Sequence, residues 1–150
     1  MENLLTVSEV KLSYKLHQKA SERPKVINSD SIYNVLLSCY DSDTIEYRES
    51  FKVLLLNRNN NVLGVMNISE GGMSETPVDI RLILQSALLS NASYIVISHN
   101  HPSGSVKPSK GDDNVTYKVK KACEAIDILL YDHIILSPYN YYSYANEGRL

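Results

Sequence analysis

The feature that most limits what this chain can become is a rhythm. Short apolar runs of strand length alternate with stretches whose apolar residues recur at helical spacing. Phe51-Lys52-Val53-Leu54-Leu55-Leu56 ends in five turn-forming residues, Asn57 to Asn61, and Val62-Leu63-Gly64-Val65-Met66 follows. The pair predicts an antiparallel hairpin in the core of a sheet. Ile80, Ile83, Leu84, Ala87 and Leu88 then form one helical stripe. Thr76 is read as its N-cap, Pro77 as its first residue, Asp79 as an acid facing its N-terminus and Asn91 as its stop. Tyr94-Ile95-Val96-Ile97-Ser98 predicts a buried strand, and Val115, Val119, Ala122, Cys123 and Ile126 mark another helix. Ile128-Leu129-Leu130 with His133-Ile134-Ile135-Leu136 reads as a further strand, and Tyr141-Tyr142-Ser143-Tyr144 as a short last one. Interleaving of this kind predicts an α/β fold, a mixed sheet with helices on its faces.

Upstream, residues 10–16 alternate apolar and polar, which predicts a strand with one buried face. Residues 17–28 carry Arg23-Pro24 and read as a loop. Ile32, Val35, Leu36 and Cys39 fall at helical spacing, with Ser29 or Asp30 as the cap. At 150 residues and 43% hydrophobic, the chain suits a single domain over 1–150, with residues 1–28 as its extension.

Composition removes several classes. A net charge of −2 leaves no global basic field for nucleic acid. No apolar run approaches the roughly 18 residues of a membrane span. Met1-Glu2-Asn3 begins without a basic, then apolar, secretory pattern. Two cysteines, Cys39 and Cys123, exclude a disulfide framework, so a cytoplasmic setting is expected.

The chemistry is concentrated in Ser98-His99-Asn100-His101-Pro102-Ser103-Gly104 and Pro108-Ser109-Lys110-Gly111-Asp112-Asp113. His99 and His101 are two apart at a strand end, so both imidazoles can face one ion. Pro102 and Gly104 turn the chain, Ser109 opens the next helix and Asp112 lies in its first turn. Two His and one Asp form a donor set that zinc accepts in catalytic sites, with a fourth position left for water. The plain alternative is that Ser109 and Asp112 are only a capping box, S-x-x-D, and the histidines ordinary strand-end residues. Convergence at the C-terminal end of a strand favours a site.

The string His-x-His-Pro, with Ser eight and Asp eleven residues after the second His, resembles the JAB/MPN metalloprotease signature, and His99, His101, Ser109 and Asp112 fall on all four positions. His-Asn-His-Pro-Ser-Gly resembles the RadC branch, where Asn100 is the characteristic choice. The resemblance runs from about Tyr14 to Gly148 and implies a JAB/MPN, cytidine-deaminase-like architecture. It implies one zinc bound by His99, His101 and Asp112. It implies a Glu from an earlier strand that takes a proton from the water the metal activates, and a Ser that supports the oxyanion. Glu49, two residues before Phe51, is the position similar to that Glu, and Glu46, Glu70 and Glu75 compete for it. The implied substrate is a peptide or protein, cleaved at an amide or isopeptide bond.

Other residues receive plainer readings. Asp113 is expected to be a helix-surface acid, His17 a solvated side chain and Cys123 a core residue. His133, after Asp132, is expected to be structural, with support of the site or a substrate contact as the other roles. Residues 67–76, with Gly71-Gly72, read as a loop near the site. A second function class is a DNA-linked accessory module, as the RadC branch is often labelled. The chain resembles a short, stand-alone form and is expected to be without the helix-hairpin-helix region of longer RadC types, which weakens that reading. Lys107, Lys110, Lys118, Lys120 and Lys121 leave a local basic cluster in its favour. A third class, a metal-free scaffold, conflicts with the intact ligand set. The His-x-Glu and Pro-Cys-x-x-Cys signature of zinc deaminases is missing.

Overall fold

A computed structural model of the chain describes residues 6–71 and 77–150. Among the described residues the predicted rhythm becomes a mixed five-stranded sheet with three α-helices. In chain order the elements are α1 (Ser29–Cys39), β1 (Ser50–Leu56), β2 (Val62–Glu70), α2 (Ile80–Leu89), β3 (Tyr94–Asn100), α3 (Lys110–Glu124), β4 (Leu129–Leu136) and β5 (Tyr141–Ser143). The strand order is β2-β1-β3-β4-β5. Only β3 and β4 run parallel, and α3 makes the crossover between them.

Period-two side-chain alternation divides the apolar runs between two cores. Phe51, Val53 and Leu55 of β1 join Ile95 and Ile97 of β3 under α2 and α3, with Ile83, Ala87, Val119 and Cys123. Leu54 and Leu56 join Val96, Ile134 and Leu136 on the other face, under Ile32 and Leu36 of α1. A strand buried on both faces reads as a continuous apolar run, which is why 51–56 and 94–98 lack polar alternation.

Several boundaries differ from the sequence reading. Residues 10–16 form no strand: Val10 and Leu12 are 85% and 83% exposed, so the alternation there has no sheet to pair with. The N-cap of α1 is Asn28, one residue before the expected Ser29, because Ser31 closes a capping box with it. Asp79, not Thr76, caps α2, its side chain accepting from Arg81 N at 2.9 Å, and Pro77 precedes the helix. Thr76 itself lies outside the described residues. Asn67 to Glu70 belong to β2 rather than to a loop, while the rest of the expected 67–76 loop beyond Gly71 falls outside the described residues. The turn of the β1–β2 hairpin is built as expected, with Asn57 accepting from Asn59 N and Asn61 N and Asn60 at φ 62°. Asn91, at φ 56°, ends α2 as read.

Candidate metal centre

The site forms where β3 ends. His99 continues the parity of Ile95 and Ile97, so it faces the α3 side of the sheet. The register sets Phe51 beside it on β1, and the two rings lie parallel with centroids 5.9 Å apart. His101 is carried past the strand by the same alternation. Its Nδ1 lies 2.8 Å from the Ser105 carbonyl, in a turn where Gly104 N–H donates to the His101 carbonyl and Gly104 adopts φ 84°. A carbonyl only accepts, so Nδ1 carries the proton and Nε2 presents a lone pair to the site when the ring is neutral.

Asp112 reaches the histidines from the first turn of α3. Ser109 caps that helix, accepting from Asp112 N at 3.1 Å, and Ser109 N–H donates back to Asp112 Oδ2 at 2.7 Å. The capping box therefore exists, and it aims the carboxylate instead of competing with the site. Asp112 Oδ1 is 2.9 Å from His99 Nε2, and Oδ2 is 3.3 Å from His101 Nε2. The two Nε2 atoms are 3.0 Å apart. Bonds of about 2.0–2.1 Å to nitrogen and oxygen give tetrahedral edges of about 3.3 Å, close to these separations. Electron-pair donors crowded like this repel unless a cation or a proton lies among them, so the donor set fits a metal ion. Burial works to raise the pKa of Asp112, but the close approach of the His101 and His99 rings outweighs it and holds the carboxyl well below the usual range. The Asp112 hydrogen bond in turn raises the His101 imidazole, against burial.

Glu49 lines the same cleft as Asp112, just before β1, with Oε1 4.0 Å from His101 Nε2. Glu49, His99 and His101 could hold a metal ion, with ligand atoms all within 4.8 Å of one another. Its competitors lie elsewhere. Glu46 is exposed, Glu70 pairs with Arg48 at 3.3 Å, and Glu75 is outside the described residues. Asn100 holds the Glu49 segment in place. Its buried Oδ1 accepts from Ser50 N at 2.7 Å, and its Nδ2 donates to the carbonyls of Ile45 and Arg48 at 2.7 and 2.9 Å. This brace was not legible as such, since its partners lie about fifty residues upstream.

His133 is fully buried on β4 beside His99, with Nε2 3.0 Å from His99 Nδ1 and Nδ1 2.6 Å from Thr116 Oγ1. Burial pushes its pKa well down, which favours the neutral ring. Its neighbour Asp132 is structural. The carboxylate accepts from His133 N, Ser143 Oγ and Ala145 N at 2.7, 2.6 and 3.0 Å, although burial raises its pKa. That turn places Tyr144 flat on His133, centroids 4.7 Å apart. Asp113 is more than a solvated acid: it accepts from Tyr144 Oη at 2.7 Å and from Arg149 at 2.8 Å, tying the C-terminal segment to α3. Cys123 is buried in the core as read, and His17 is exposed.

A cleft of about 270 Å³ opens onto His99 and Asp112, walled by Phe51, Val78, Val115 and Glu49, with Lys118 among its lining residues. Lys118 borders this cleft, whereas Lys120 and Lys121 border a separate hollow with Asp113 and Arg149, and Lys121 pairs with Glu124 at 3.4 Å. Among the described residues no helix is long and apolar enough to cross a membrane.

The model of the RadC-like JAB domain matches residues 26–149. The chain belongs to this family. It is similar to proteins named UPF0758 from several bacteria. The Porphyromonas gingivalis protein is 43% identical over 104 residues, covering 69% of this chain and 46% of the relative. The Flavobacterium johnsoniae protein is 41% identical over 100 residues, 67% of this chain and 44% of the relative. The Thermotoga maritima protein is 33% identical over 141 residues, 94% of this chain and 62% of the relative. The chain thus spans about half the length of most curated relatives it matches.

Proposed function

We propose that this chain is a zinc-dependent hydrolase that cleaves an amide bond, peptide or isopeptide, in a peptide or protein substrate. The observation that carries the reading is the convergence of His99 Nε2, His101 Nε2 and the Asp112 carboxylate within 3.3 Å, with Glu49 Oε1 4.0 Å from His101 Nε2. His99, His101 and Asp112 would hold the ion. Asp112 is preferred to Glu49 as the third ligand because both its oxygens approach more closely. Zinc in such a set supplies Lewis acidity and brings the pKa of a water near 7.

The remaining chemistry belongs to the chain. Glu49 would accept a proton at a carboxylate oxygen and pass it to the leaving amine. Ser109 Oγ spends its acceptor capacity on the helix cap and keeps its own proton to donate to an oxyanion. Phe51, Val78 and Val115 exclude water from one side of the cleft and offer an apolar wall to a substrate side chain. The two free thiols, Cys39 and Cys123, suit a reducing cytoplasm.

The test is elemental analysis with a peptide and isopeptide panel. Unmodified protein should carry about one zinc per chain, Asp112→Ala none, and Glu49→Gln a full complement without hydrolysis. A protein that stays metal-free after zinc is supplied would overturn the reading. A Glu49→Gln chain that loses its zinc would exchange the roles of the two acids.

A further inference from the structure

We propose that His133 and Thr116 form a positioning relay that fixes which nitrogen of His99 carries the proton, and so keeps the Nε2 lone pair of His99 turned into the site. The inference rests on the metal-site reading above for its purpose, but not for its geometry.

The chain of donors can be followed from one end. Thr116 Oγ1 lies 2.7 Å from the Asp112 carbonyl, which only accepts, so the hydroxyl proton is spent there. What Thr116 offers to His133 is then a lone pair, and at 2.6 Å the His133 Nδ1 must be the donor. His133 has 0% exposure, and a second ring proton would make a cation that no water could solvate. Its Nε2 is therefore an acceptor, and at 3.0 Å the group that donates to it is His99 Nδ1–H. In the neutral ring His99 Nε2 is then a lone pair beside His101 Nε2 and Asp112. The opposite arrangement would reverse every link and take the Thr116 hydroxyl away from the Asp112 carbonyl.

The relay also returns to its starting point. Asp112 supplies the carbonyl that orients Thr116 and the carboxylate that faces His99. One turn of α3, residues 112 to 116, thus sets both the acid and the ring nitrogen opposite it. The ring planes are held as well as the protons. Tyr144 lies parallel to His133 at an interplanar angle of 8°, and Phe51 lies parallel to His99 at the same angle. His133 lies at the inner wall of the cleft with no exposed surface, and in this scheme it acts only through His99.

The test compares His133→Leu, His133→Gln and Thr116→Val with the unmodified chain. Leucine fills the space but cannot accept. Glutamine presents a carbonyl near the position of Nε2. The first readout is the histidine tautomer from 15N chemical shifts in metal-free protein near pH 8. His99 should carry its proton on Nδ1 in the unmodified chain and in His133→Gln. In His133→Leu and Thr116→Val a substantial Nε2–H population should appear. His101, moored to Ser105, should not change in any of them and reports that the fold is intact. The second readout is zinc affinity by chelator competition, expected to fall about 10–100-fold in His133→Leu and to recover within a few-fold in His133→Gln.

An Nε2–H tautomer of His99 in the unmodified chain would overturn the relay. So would an unshifted His99 and full zinc affinity in His133→Leu and Thr116→Val. Should His133→Leu fail to fold, Thr116→Val decides alone. A chain that binds no zinc yet shows the expected His99 tautomers would retain the relay and refute the metal reading instead.

Discussion

His99 and His101 sit two residues apart on one strand, and they are moored in opposite ways. His99 is buried, and its anchor, His133, comes from another strand 34 residues further on. His101 is half-buried, and its anchor is a carbonyl four residues away in its own turn. The inner ring depends on the assembled sheet and on α3. The outer ring depends on a short loop that could hold its shape with little help. A site built this way couples its inner half to global folding and leaves its outer half adjustable. Loops on a rigid scaffold are where binding specificity is usually tuned.

The largest expected effect comes from removing each ring in turn. His99→Ala and His101→Ala should each weaken zinc binding by well over about 100-fold, more than the loss of an outer partner would. Stability should separate them. His99→Ala leaves a cavity and an unpaired His133 Nε2, and should lower unfolding free energy in metal-free protein by about 3–4 kcal/mol. His101→Ala should cost less than about 1 kcal/mol, since its ring is partly solvated. Urea unfolding of the two variants checks this, and equal losses would break the contrast between inner and outer halves.

Asn100, lying between the two histidines but facing the other side of the strand, should come next. Asn100→Ala deletes three hydrogen bonds, two of them fully buried, and leaves Ser50 N and the carbonyls of Ile45 and Arg48 without their partner. A loss of about 3 kcal/mol is expected. Because the brace holds the Glu49 segment, hydrolysis should fall further than zinc affinity does. Paired measurements of zinc affinity and turnover decide the point. Parallel losses in both would assign Asn100 to the histidines instead.

What the sequence made legible follows the same division. The outer half is local: His101 to Ser105 turns on Pro102 and Gly104, and Ser109 to Asp112 is a spacing of three. Strand runs and helical stripes are local too, and the apolar runs Phe51 to Leu56 and Tyr94 to Ser98 are strands of the sheet as read, while their division between two cores appears only in the fold. The inner half is not local. His133 joins His99 and Thr116 only because β4 lies parallel to β3 with α3 across it, and no spacing in the chain announces that. Residues 10–16 show the converse failure. Their alternation is as regular as that of a strand, yet period two describes a half-buried strand only if a neighbour is there to pair with it. The caps at Asn28 and Asp79 missed by one to three residues for a smaller reason: several neighbouring residues can cap, and the box partner decides among them.

Gly104 sharpens the outer half. It adopts φ 84° with nothing within 4 Å of where a Cβ would stand, so Gly104→Ala meets backbone strain and no clash. The expected cost is about 1 kcal/mol, the usual penalty for alanine in a left-handed position. The strain falls on the turn that presents the Ser105 carbonyl, so zinc affinity should drop by several-fold while the His99 tautomer stays as it is. A shift of His99 in this variant would mean that the two moorings are not independent.

The smallest effect concerns two thiols that repeat the contrast between interior and rim. Cys123 is fully buried under α3, and burial pushes its thiol up to about 11, whereas Cys39 is partly exposed on α1. Native protein at pH 8 should therefore release one rapid equivalent with a thiol reagent, and two after denaturation. The linkage has a definite sign. In the unfolded chain Cys123 ionises near its ordinary value of 9.0, and in the folded chain only near 11. Across that window the unfolded state holds fewer protons, so stability declines as pH rises. Cys123→Ala should be less stable throughout but should lose this part of the alkaline slope. An identical slope in both chains would mean that the α3 face of the core admits water, and the sheltered half of the site would then be less sheltered than its geometry states.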